Sequence, residues 1–468
     1  MTVKQHLICL SIFIAGMSLA GAQGKKAVQQ GTILHCWCWS FKTIEDNLDT
    51  IAQAGFTAIQ TSPANECFEG DSGGLEIMGK GATGKWYYHY QPTDWKIGNY
   101  QLGTREEFIS MCNAARKRGI AVIVDVVPNH TTTHKDEISP AFIRAAGGMD
   151  KLYHKNADHN IRTFSNRREV TSAMLGGLPD VNTENPLFQE YFLNYINDLI
   201  SCGAGGFRFD TAKHIALPDD PRDDESLEND FWLVFTGKKA VNGQMMHNAQ
   251  NLFIYGEVLQ EGASREDAYG KLFPVTASKY GKLLRSALKN GKLSAKGISG
   301  FQNPASPNVV TWVESHDTYA NEGESAFLSN FLLRAGWAVI ASRKNGTPLF
   351  FSRPKGSESV QFPGESKIGE RGNDEFFSPE VSAVNKFRTA MEGQPEEFLN
   401  GANTGVLIVK RGDKGCVIIN LNSSTEPVEV SIGLPNGTYT DRAGKAKFSC
   451  RNFVLKGKIK GRKICVLY

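Results

Sequence analysis

Three acidic residues, Asp210, Glu257 and Asp317, have the spacing and setting to carry out chemistry on a glycosidic bond. Each follows a short strand-like run: Gly206–Phe209, Leu252–Gly256 and Val309–Val313. Cleavage of a bond between sugars uses two carboxyl groups, one of which donates a proton while the other acts as nucleophile or base. A third acid could hold sugar hydroxyls and favour the distorted transition state. Any one of these acids alone would be an ordinary loop or helix-cap carboxylate, but three at strand ends predict a catalytic group.

The neighbours of two of these acids predict different roles for them. Strand periodicity puts Arg208 on the same side as Asp210, with Phe207 and Phe209 on the other side. A nearby guanidinium favours an ionised carboxylate, as a nucleophile requires. Glu257 follows an apolar run, and burial near other acids would raise its pKa and keep it protonated. If the two carboxyl groups lie about 5–5.5 Å apart, the reaction would retain the anomeric configuration.

Strand-like and helical patterns alternate along most of the chain, which predicts a (β/α)8 barrel. The predicted strands are Thr32–Trp37, Phe56–Gln60, Ile120–Val127, Gly206–Phe209, Leu252–Gly256, Val309–Val313 and Pro348–Phe351. The predicted helices are Ile44–Ala54, Thr104–Arg118, Asn185–Ser201, Lys279–Lys289 and Asn330–Ser342. Repeated units over this length favour a closed barrel over an open doubly wound sheet, and no nucleotide-binding motif argues otherwise. In such barrels the functional residues lie at the C-terminal ends of the strands, so the three acids should converge.

Changes in pattern divide the chain into four predicted regions. Residues 1–22 resemble a signal peptide, with Lys4 before the apolar run Leu7–Leu19 and a small-residue cleavage site ending at Ala22. Residues 23–129 and 181–394 form the barrel, and residues 130–180 form an irregular excursion after the third strand. Residues 395–468 read as short alternating strands, which predict an antiparallel β-sandwich domain. We therefore expect a secreted protein without a membrane anchor in the mature chain.

Composition argues against nucleic acid as a partner. The 468 residues are 41% hydrophobic and 22% charged, and the formal net charge is +3. This balance is typical of a folded protein and gives no polybasic surface for nucleic acid. Eight cysteines follow the predicted signal peptide; Cys112 and Cys202 read as small core residues, and the disulfide pattern stays open. We expect a monomer by default.

Five segments together resemble the conserved regions of the α-amylase family of glycoside hydrolases. They are Asp125–His130 (DVVPNH), Leu178–Asn182 (LPDVN), Gly206–His214 (GFRFDTAKH), Gly256–Val258 (GEV) and Val313–Asp317 (VESHD). The resemblance covers nearly the whole mature chain. Trp312–Asn321 and Gly346–Pro354 make it closest to bacterial α-amylases of the Bacillus subtilis type.

The resemblance implies a role for each matching residue. Asp210 would be the nucleophile, Glu257 the general acid and base, and Asp317 the transition-state stabiliser. The sugar in the cleavage subsite would be hydrogen-bonded by His130, Arg208 and His316. Tyr90 would stack on this sugar, with Gln91 beside it. The remaining implied substrate contacts are Trp86, Tyr87, Lys213 and His214.

The resemblance also implies a structural Ca²⁺ between the barrel and the excursion. Asn129 and Asp180 would supply side-chain oxygens, while His214 and Thr171 would supply backbone carbonyls, as a hard cation prefers. Chloride-dependent members of the family resemble this chain at Arg208 and Arg353 but carry Asn where Ser315 stands. We therefore expect no activation by chloride.

The predicted function is endo-hydrolysis of α-1,4-glucosidic bonds in starch, glycogen or malto-oligosaccharides. Two alternatives stay open: a maltogenic or transglycosylating enzyme that uses the same residues, and a catalytically silent glucan-binding protein. Product distributions would distinguish the first alternative from endo-hydrolysis. The three intact acids argue against the second alternative. A barrel enzyme acting on a non-sugar substrate has no supporting phosphate or cofactor motif.

Overall fold

Eight parallel strands form a closed barrel. The computed structural model describes residues 24–70, 74–78, 85–358 and 360–468; the predicted signal peptide, residues 1–22, lies outside them. In chain order the barrel strands are β1 (Ile33–Cys36), β2 (Ala58–Thr61), β3 (Ala121–Val126), β4 (Gly206–Phe209), β5 (Phe253–Gly256), β6 (Val275–Thr276), β7 (Val309–Trp312) and β8 (Thr347–Phe351). Each strand pairs with its sequence neighbours in this set, and β8 closes the barrel against β1. The predicted fold class is confirmed.

The predicted strands agree with the observed ones to within two residues at either end, and one barrel strand was missing from the prediction. That strand is β6, which has only two residues and pairs with β5 and β7 through Val275 and Thr276. Two residues are too few to give a recognisable hydrophobic run. The barrel nevertheless needs β6, because it joins the strands that precede Glu257 and Asp317.

Six long helices pack around the barrel. They are α1 (Phe41–Gln53), α2 (Arg105–Lys117), α3 (Pro186–Cys202), α4 (Ser278–Lys289), α5 (Asn330–Ala341) and α6 (Pro379–Ala390). Their ends carry the expected capping residues: Thr104 and Glu107 form a capping box on α2, and Asn185 caps α3 before Pro186. Gly203 ends α3 with a φ of 115°, a left-handed conformation that suits glycine.

Shorter helices lie between these elements. The α-helical ones are residues 24–30, Pro140–Ala145, Met149–Leu152, Arg167–Val170, Phe231–Val234, Glu266–Gly270 and Ala295–Ile298. Tighter 3₁₀ turns cover Trp86–Tyr90, Lys135–Glu137, Ala212–His214, Ala249–Asn251 and Asp374–Phe377, and Asp317–Asn321 forms a π-helical turn. The excursion after β3 contains three of the short helices and isolated bridges, among them His130 to Asp180. Two further strands, Asn65–Cys67 and Pro92–Ile97, pair beside the rim.

The C-terminal residues form two four-stranded antiparallel sheets. The strands are β9 (Glu396–Asn400), β10 (Val406–Arg411), β11 (Gly415–Asn420), β12 (Glu426–Ser431), β13 (Gly437–Thr440), β14 (Lys447–Arg451), β15 (Val454–Ile459) and β16 (Lys463–Leu467). One sheet has the order β9-β10-β11-β16 and the other β12-β15-β14-β13. Residues of β10 alternate between two cores: Ile408 packs inside the sandwich, whereas Leu407 and Val409 join the barrel core. The first sheet therefore packs the sandwich against the barrel.

The hydrophobic core has one layer inside the barrel and one outside it. Strand residues such as Ile33, Ile123 and Val310 fill the interior, while the helices cover the outer strand faces. The eight cysteines of the described chain are free and buried, which confirms Cys112 and Cys202 as core residues. Within the described segments, no helix combines the length and apolar character needed to cross a membrane.

Candidate active site

A cavity of about 340 Å³ opens at the C-terminal ends of the barrel strands. Asp210, Glu257 and Asp317 all line it, so the structure brings together the three acids that the sequence predicted. Six of the predicted substrate contacts line the same cavity: Trp86, Tyr87, Tyr90, Gln91, His130 and His316. The barrel therefore converts three acids far apart in the chain into one site.

Arg208 on β4 organises the acids at the base of this cavity. Its Nη1 donates to Asp210 Oδ1 at 2.6 Å and to both carboxylate oxygens of Asp125 at 2.8 and 2.9 Å. Its Nη2 lies 2.7 Å from Glu257 Oε1. Phe207 and Phe209 point away into the outer core, as strand periodicity predicted. Asp210 and Glu257 are thus held on adjacent nitrogens of a single guanidinium.

Tight packing at the end of β5 positions Glu257. A Cβ atom on Gly256 would lie 2.5 Å from the Phe273 ring and 2.8 Å from the Ala212 side chain. Only glycine therefore lets this strand end approach the turn that follows Asp210. Glu257 Oε2 accepts a hydrogen bond of 2.9 Å from the backbone N–H of Thr211. This bond ties the two catalytic strand ends directly to each other.

Thr211 adopts a strained backbone conformation beside Asp210. Its φ is 47°, a left-handed value that a β-branched residue rarely takes. Strain of this kind persists only where the surroundings enforce it, and it concentrates at functional sites. Sequence reasoning did not identify Thr211, because backbone strain leaves no mark on residue type.

Asp317 begins the π-helical turn that follows β7. Asn321 Nδ2 donates to Asp317 Oδ1 at 2.6 Å, and His316 Nε2 lies 3.3 Å from Asp317 Oδ2. Turns of the π type occur frequently at functional sites. The turn presents Asp317 to the cavity, and Asn321 and His316 hold its carboxylate there.

Aromatic rings form a wall next to the acids. The rings of Tyr90 and His316 stack, with centroids 5.0 Å apart and planes 10° apart, and Trp86 meets His316 edge-on. The Tyr90 hydroxyl donates to Asp125 Oδ2 at 2.8 Å. This bond links the aromatic wall to the Arg208 group, and it gives Asp125, the first residue of the Asp125–His130 motif, a role that the sequence analysis had not assigned.

Burial sets the protonation of the site. Burial raises the pKa of Asp210, and although the Arg208 guanidinium opposes this effect, the net shift is upward. Burial followed by repulsion from Glu257 raises the pKa of Asp317 well above its usual range. Burial likewise raises the pKa of Asp125 to about 7 and lowers that of His130 to about 4. The expectation that Arg208 decides the state of Asp210 is therefore incomplete, because desolvation is the larger effect.

Comparison with known proteins adds to this geometry. A family model described as the alpha-amylase catalytic domain matches residues 39–273. An alpha-amylase from Butyrivibrio fibrisolvens is 42% identical over an alignment that covers 95% of this chain and 48% of that protein. This chain belongs to the α-amylase family. An alpha-amylase from Clostridium acetobutylicum is 34% identical over 94% of this chain and 54% of its own length.

Solved structures support the fold of this α-amylase family member. The wild-type alpha-amylase I from Eisenia fetida matches with a TM-score of 0.71 at 19% identity, covering 94% of this chain and 97% of that one. An Anoxybacillus alpha-amylase matches with a TM-score of 0.70 at 21% identity, covering 94% and 98%. This chain spans about half the length of the two curated relatives named above. The finer likeness to the Bacillus subtilis type stays a prediction.

Three residues for which the α-amylase resemblance implied substrate contact lie outside the cavity lining. Arg208 is 4% exposed and faces the acids from below. Lys213 is buried, its Nζ donating to Glu261 Oε1 at 2.6 Å and lying over the Phe164 ring. His214 is also buried, and its Nδ1 bonds to the carbonyl oxygen of Val170 at 2.8 Å. These residues support the site from beneath and from the side of the excursion.

Two of the four residues for which the α-amylase resemblance implied calcium binding contact each other, and the other two belong to segments that a hydrogen bond joins. Asn129 Nδ2 contacts Asp180 Oδ2 at 3.2 Å, and both side chains are almost fully buried. The His214 ring bonds through Nδ1 to the carbonyl oxygen of Val170, the residue before Thr171. All four residues offer oxygen atoms, which suit a hard cation. Among the described residues, no group of three or more His, Cys, Asp or Glu could hold a metal ion, so such a site would combine the single carboxylate of Asp180 with amide and carbonyl oxygens.

His154 is a buried residue of the excursion that sequence analysis did not identify. Its Nδ1 contacts Asp180 Oδ1 at 2.6 Å, and its Nε2 contacts Glu184 Oε2 at 2.5 Å. Burial lowers its pKa, but the carboxylates of Glu184 and Asp180 outweigh burial and raise it to about 10. His154 thereby orients the Asp180 carboxylate. Its role depends on two partners 26 and 30 residues away in the chain, which no local pattern indicates.

Proposed function

We propose that this chain is a retaining endo-hydrolase of α-1,4-glucosidic bonds in starch, glycogen and malto-oligosaccharides. The observation that carries the proposal is the pair Asp210 and Glu257 on adjacent nitrogens of Arg208, at the base of an open cavity. Two carboxyl groups so close together fit a double displacement better than direct attack by a water molecule placed between them. The curated relatives carry the name alpha-amylase, which agrees with this substrate class.

The reaction has two steps at the anomeric carbon. The Asp210 carboxylate attacks this carbon while Glu257 gives its proton to the departing glycosidic oxygen. Glu257 then removes a proton from a water molecule, whose oxygen attacks the same carbon and releases Asp210. Two inversions restore the original α configuration.

Other cavity residues hold the sugar during these steps. Asp317 accepts hydrogen bonds from sugar hydroxyls, and these bonds strengthen as the ring flattens toward the oxocarbenium-like state. Burial lowers the pKa values of His130 and His316, so both rings are neutral and can donate or accept a hydrogen bond. Tyr90 offers an aromatic face for stacking against the sugar ring.

We further propose that Ca²⁺ binds Asn129, Asp180 and the backbone carbonyls of Thr171 and His214. When bound, this ion would hold the excursion against the barrel and take no part in the chemistry. The four residues join the strand end after β3, the excursion and the turn after β4. Export through residues 1–22 is proposed on the sequence pattern alone.

The calcium proposal predicts that a chelator lowers the melting temperature and that added Ca²⁺, but not Mg²⁺, restores it. Asp180→Asn should melt lower and lose most of this response, because Ca²⁺ prefers carboxylate oxygen. Asp158→Asn, at an exposed carboxylate of the same excursion, is the matched control. A melting curve that does not respond to chelation would contradict the proposal.

The test of the proposed function is the release of reducing ends from maltoheptaose and soluble starch, followed by NMR of the new anomeric proton. Wild-type protein should release α-anomers from internal bonds. Asp210→Asn should lose at least about 10⁴-fold in kcat, as expected when a nucleophile is removed.

Asp219→Asn makes the same chemical change at an exposed acid that pairs with Arg265, and it should retain activity. Initial β-anomers would contradict the retaining mechanism. Absence of any hydrolysis, with starch binding intact, would favour the glucan-binding alternative. Dominant transfer to longer oligosaccharides would favour a transglycosylase.

A further inference from the structure

A second cavity lies beside the catalytic one, at a gap in the barrel rim. Strand β6 ends at Thr276 and α4 begins at Ser278, so Ala277 alone separates strand from helix. By contrast, β5 and β7 are followed by long segments that build up the rim on either side. The short connection leaves an open space of about 300 Å³ outside the barrel strands.

The two cavities share part of their walls. Leu259, Asp317 and Glu322 line both of them, and their volumes are similar, about 340 Å³ for the catalytic cavity and about 300 Å³ for the side cavity. Leu259 follows Glu257 by two residues, and Asp317 is one of the three site acids. The side cavity therefore adjoins the substrate cleft next to the bond that would be cleaved.

The charges in the side cavity are largely paired with one another. Arg285 donates to Glu324 at 2.5 Å and to the Val313 carbonyl at 3.1 Å, and Lys282 lies 3.5 Å from Glu324. Glu261, at the edge, pairs with Lys213. A polar surface with paired charges suits a neutral ligand with many hydroxyl groups better than an ion, because no strong field of either sign remains.

We propose that the side cavity receives a glucosyl branch, so that the chain accepts branched α-glucans cut close to a branch point. This inference rests on the proposed function, since the branch is carried by the chain bound in the catalytic cavity. A linear glucan leaves the side cavity to water, whereas an α-1,6-linked glucosyl unit next to the cleaved bond enters it at Asp317. The gap after β6 thereby determines which glucans the cleft tolerates.

The test compares two substrates and two tryptophan variants. The substrates are a linear malto-oligosaccharide and the same chain with a single α-1,6-glucosyl branch, with the cut sites mapped by mass spectrometry. Lys282→Trp places a bulky ring in the side cavity from an exposed position of α4. Leu283→Trp adds the same ring at the next position of the helix, which does not line the cavity.

Lys282→Trp should lower the ratio of branched to linear kcat/KM about tenfold and move the cuts away from the branch. Leu283→Trp should leave both the ratio and the cut sites as in the wild-type protein. An unchanged ratio in Lys282→Trp overturns the inference, as does an equal fall in both variants. If the wild-type protein fails to cut even the linear chain, the proposed function fails, and the inference falls with it.

Discussion

The two ends of the barrel differ in the sign of their excess charge. At the C-terminal end, one guanidinium, that of Arg208, faces the carboxylates of Asp125, Asp210 and Glu257, and Asp317 lies nearby. Acids outnumber bases there, and burial pushes the pKa values of Asp125, Asp210 and Asp317 upward. This end is therefore poised to gain, lose and transfer protons.

At the N-terminal end the excess is positive. Arg343, Arg388 and Arg411 lie together with Glu396 as the carboxylate paired to Arg343. Their N–H groups donate hydrogen bonds mainly to backbone carbonyls. Arg388 donates to the carbonyls of Gln29, Gln30, Ala341, Arg343 and Gly346. Arg411 bonds the carbonyls of Ser342, Met391 and Gln394 from the first strand pair of the sandwich.

The difference follows from what each guanidinium binds. A carboxylate can accept a proton, so the C-terminal end changes its charge with pH and with the state of the substrate. A backbone carbonyl cannot titrate, so the acceptors at the N-terminal end keep one charge state, and the arginines that bind them connect barrel, helix ends and sandwich. The comparison predicts that changes at the first end alter activity, whereas changes at the second alter stability.

The largest effect is expected for Arg208→Lys. A lysine keeps the positive charge but cannot face three carboxylates along a planar fork, so Asp210 and Glu257 lose their relative placement. We expect kcat/KM on maltoheptaose to fall about 10³-fold, equivalent to about 4 kcal/mol. Arg442→Lys, at an exposed arginine of the sandwich, is the control. A fall of less than tenfold would mean that Arg208 does not set the catalytic geometry.

The next effect is expected for Arg388→Leu, at the other end. Removing this guanidinium takes a donor away from five carbonyls, of which only that of Gln29 keeps another side-chain donor among the described residues, the Thr347 hydroxyl, so we expect the free energy of unfolding to drop by about 3 kcal/mol. Below the melting transition, kcat/KM should stay within about twofold of wild type. Denaturant unfolding and steady-state kinetics measure the two quantities, and Lys386→Leu, exposed on the same helix, is the control. If the folded variant loses activity, the N-terminal end affects catalysis as well as stability, which would contradict this prediction.

The sequence predicted the important residues at the C-terminal end of the barrel much better than those at the N-terminal end. Asp210, Glu257 and Asp317 were predictable because each follows a strand, and strand ends meet on one rim. Helix α5 was predicted as Asn330–Ser342 and observed as Asn330–Ala341. Thr211 and His154 were missed and Asp125 was given no role of its own, because their roles depend on contacts with distant segments or on backbone strain. The arginine cluster was missed for the same reason.

A smaller effect concerns the pH dependence of stability. Burial raises the pKa of Asp125 from 3.8 to about 7, so between these pH values the folded protein holds a proton that the unfolded chain has lost. This carboxyl group therefore contributes less to stability as the pH rises through that window. Asp125→Asn cannot titrate, and its melting temperature should fall less steeply from about pH 4 to 7 than that of the wild type. Asp150→Asn, at an exposed acid, should keep the wild-type slope, and an unchanged slope in Asp125→Asn would contradict the shift.

The smallest expected effect is that of chloride on the wild-type protein, which should be none. Arg353 holds Glu314 through two bonds of 2.8 and 2.7 Å, and Arg208 holds three carboxylates, so both guanidiniums already face anions of the chain itself. Turnover should stay constant when chloride replaces acetate at fixed ionic strength, and a clear rise would contradict this reading. Glu314→Gln sharpens the comparison, because it leaves Arg353 without its carboxylate. If chloride stimulates Glu314→Gln but not the wild-type protein, the Glu314 carboxylate occupies the position beside Arg353 that a chloride ion could otherwise take.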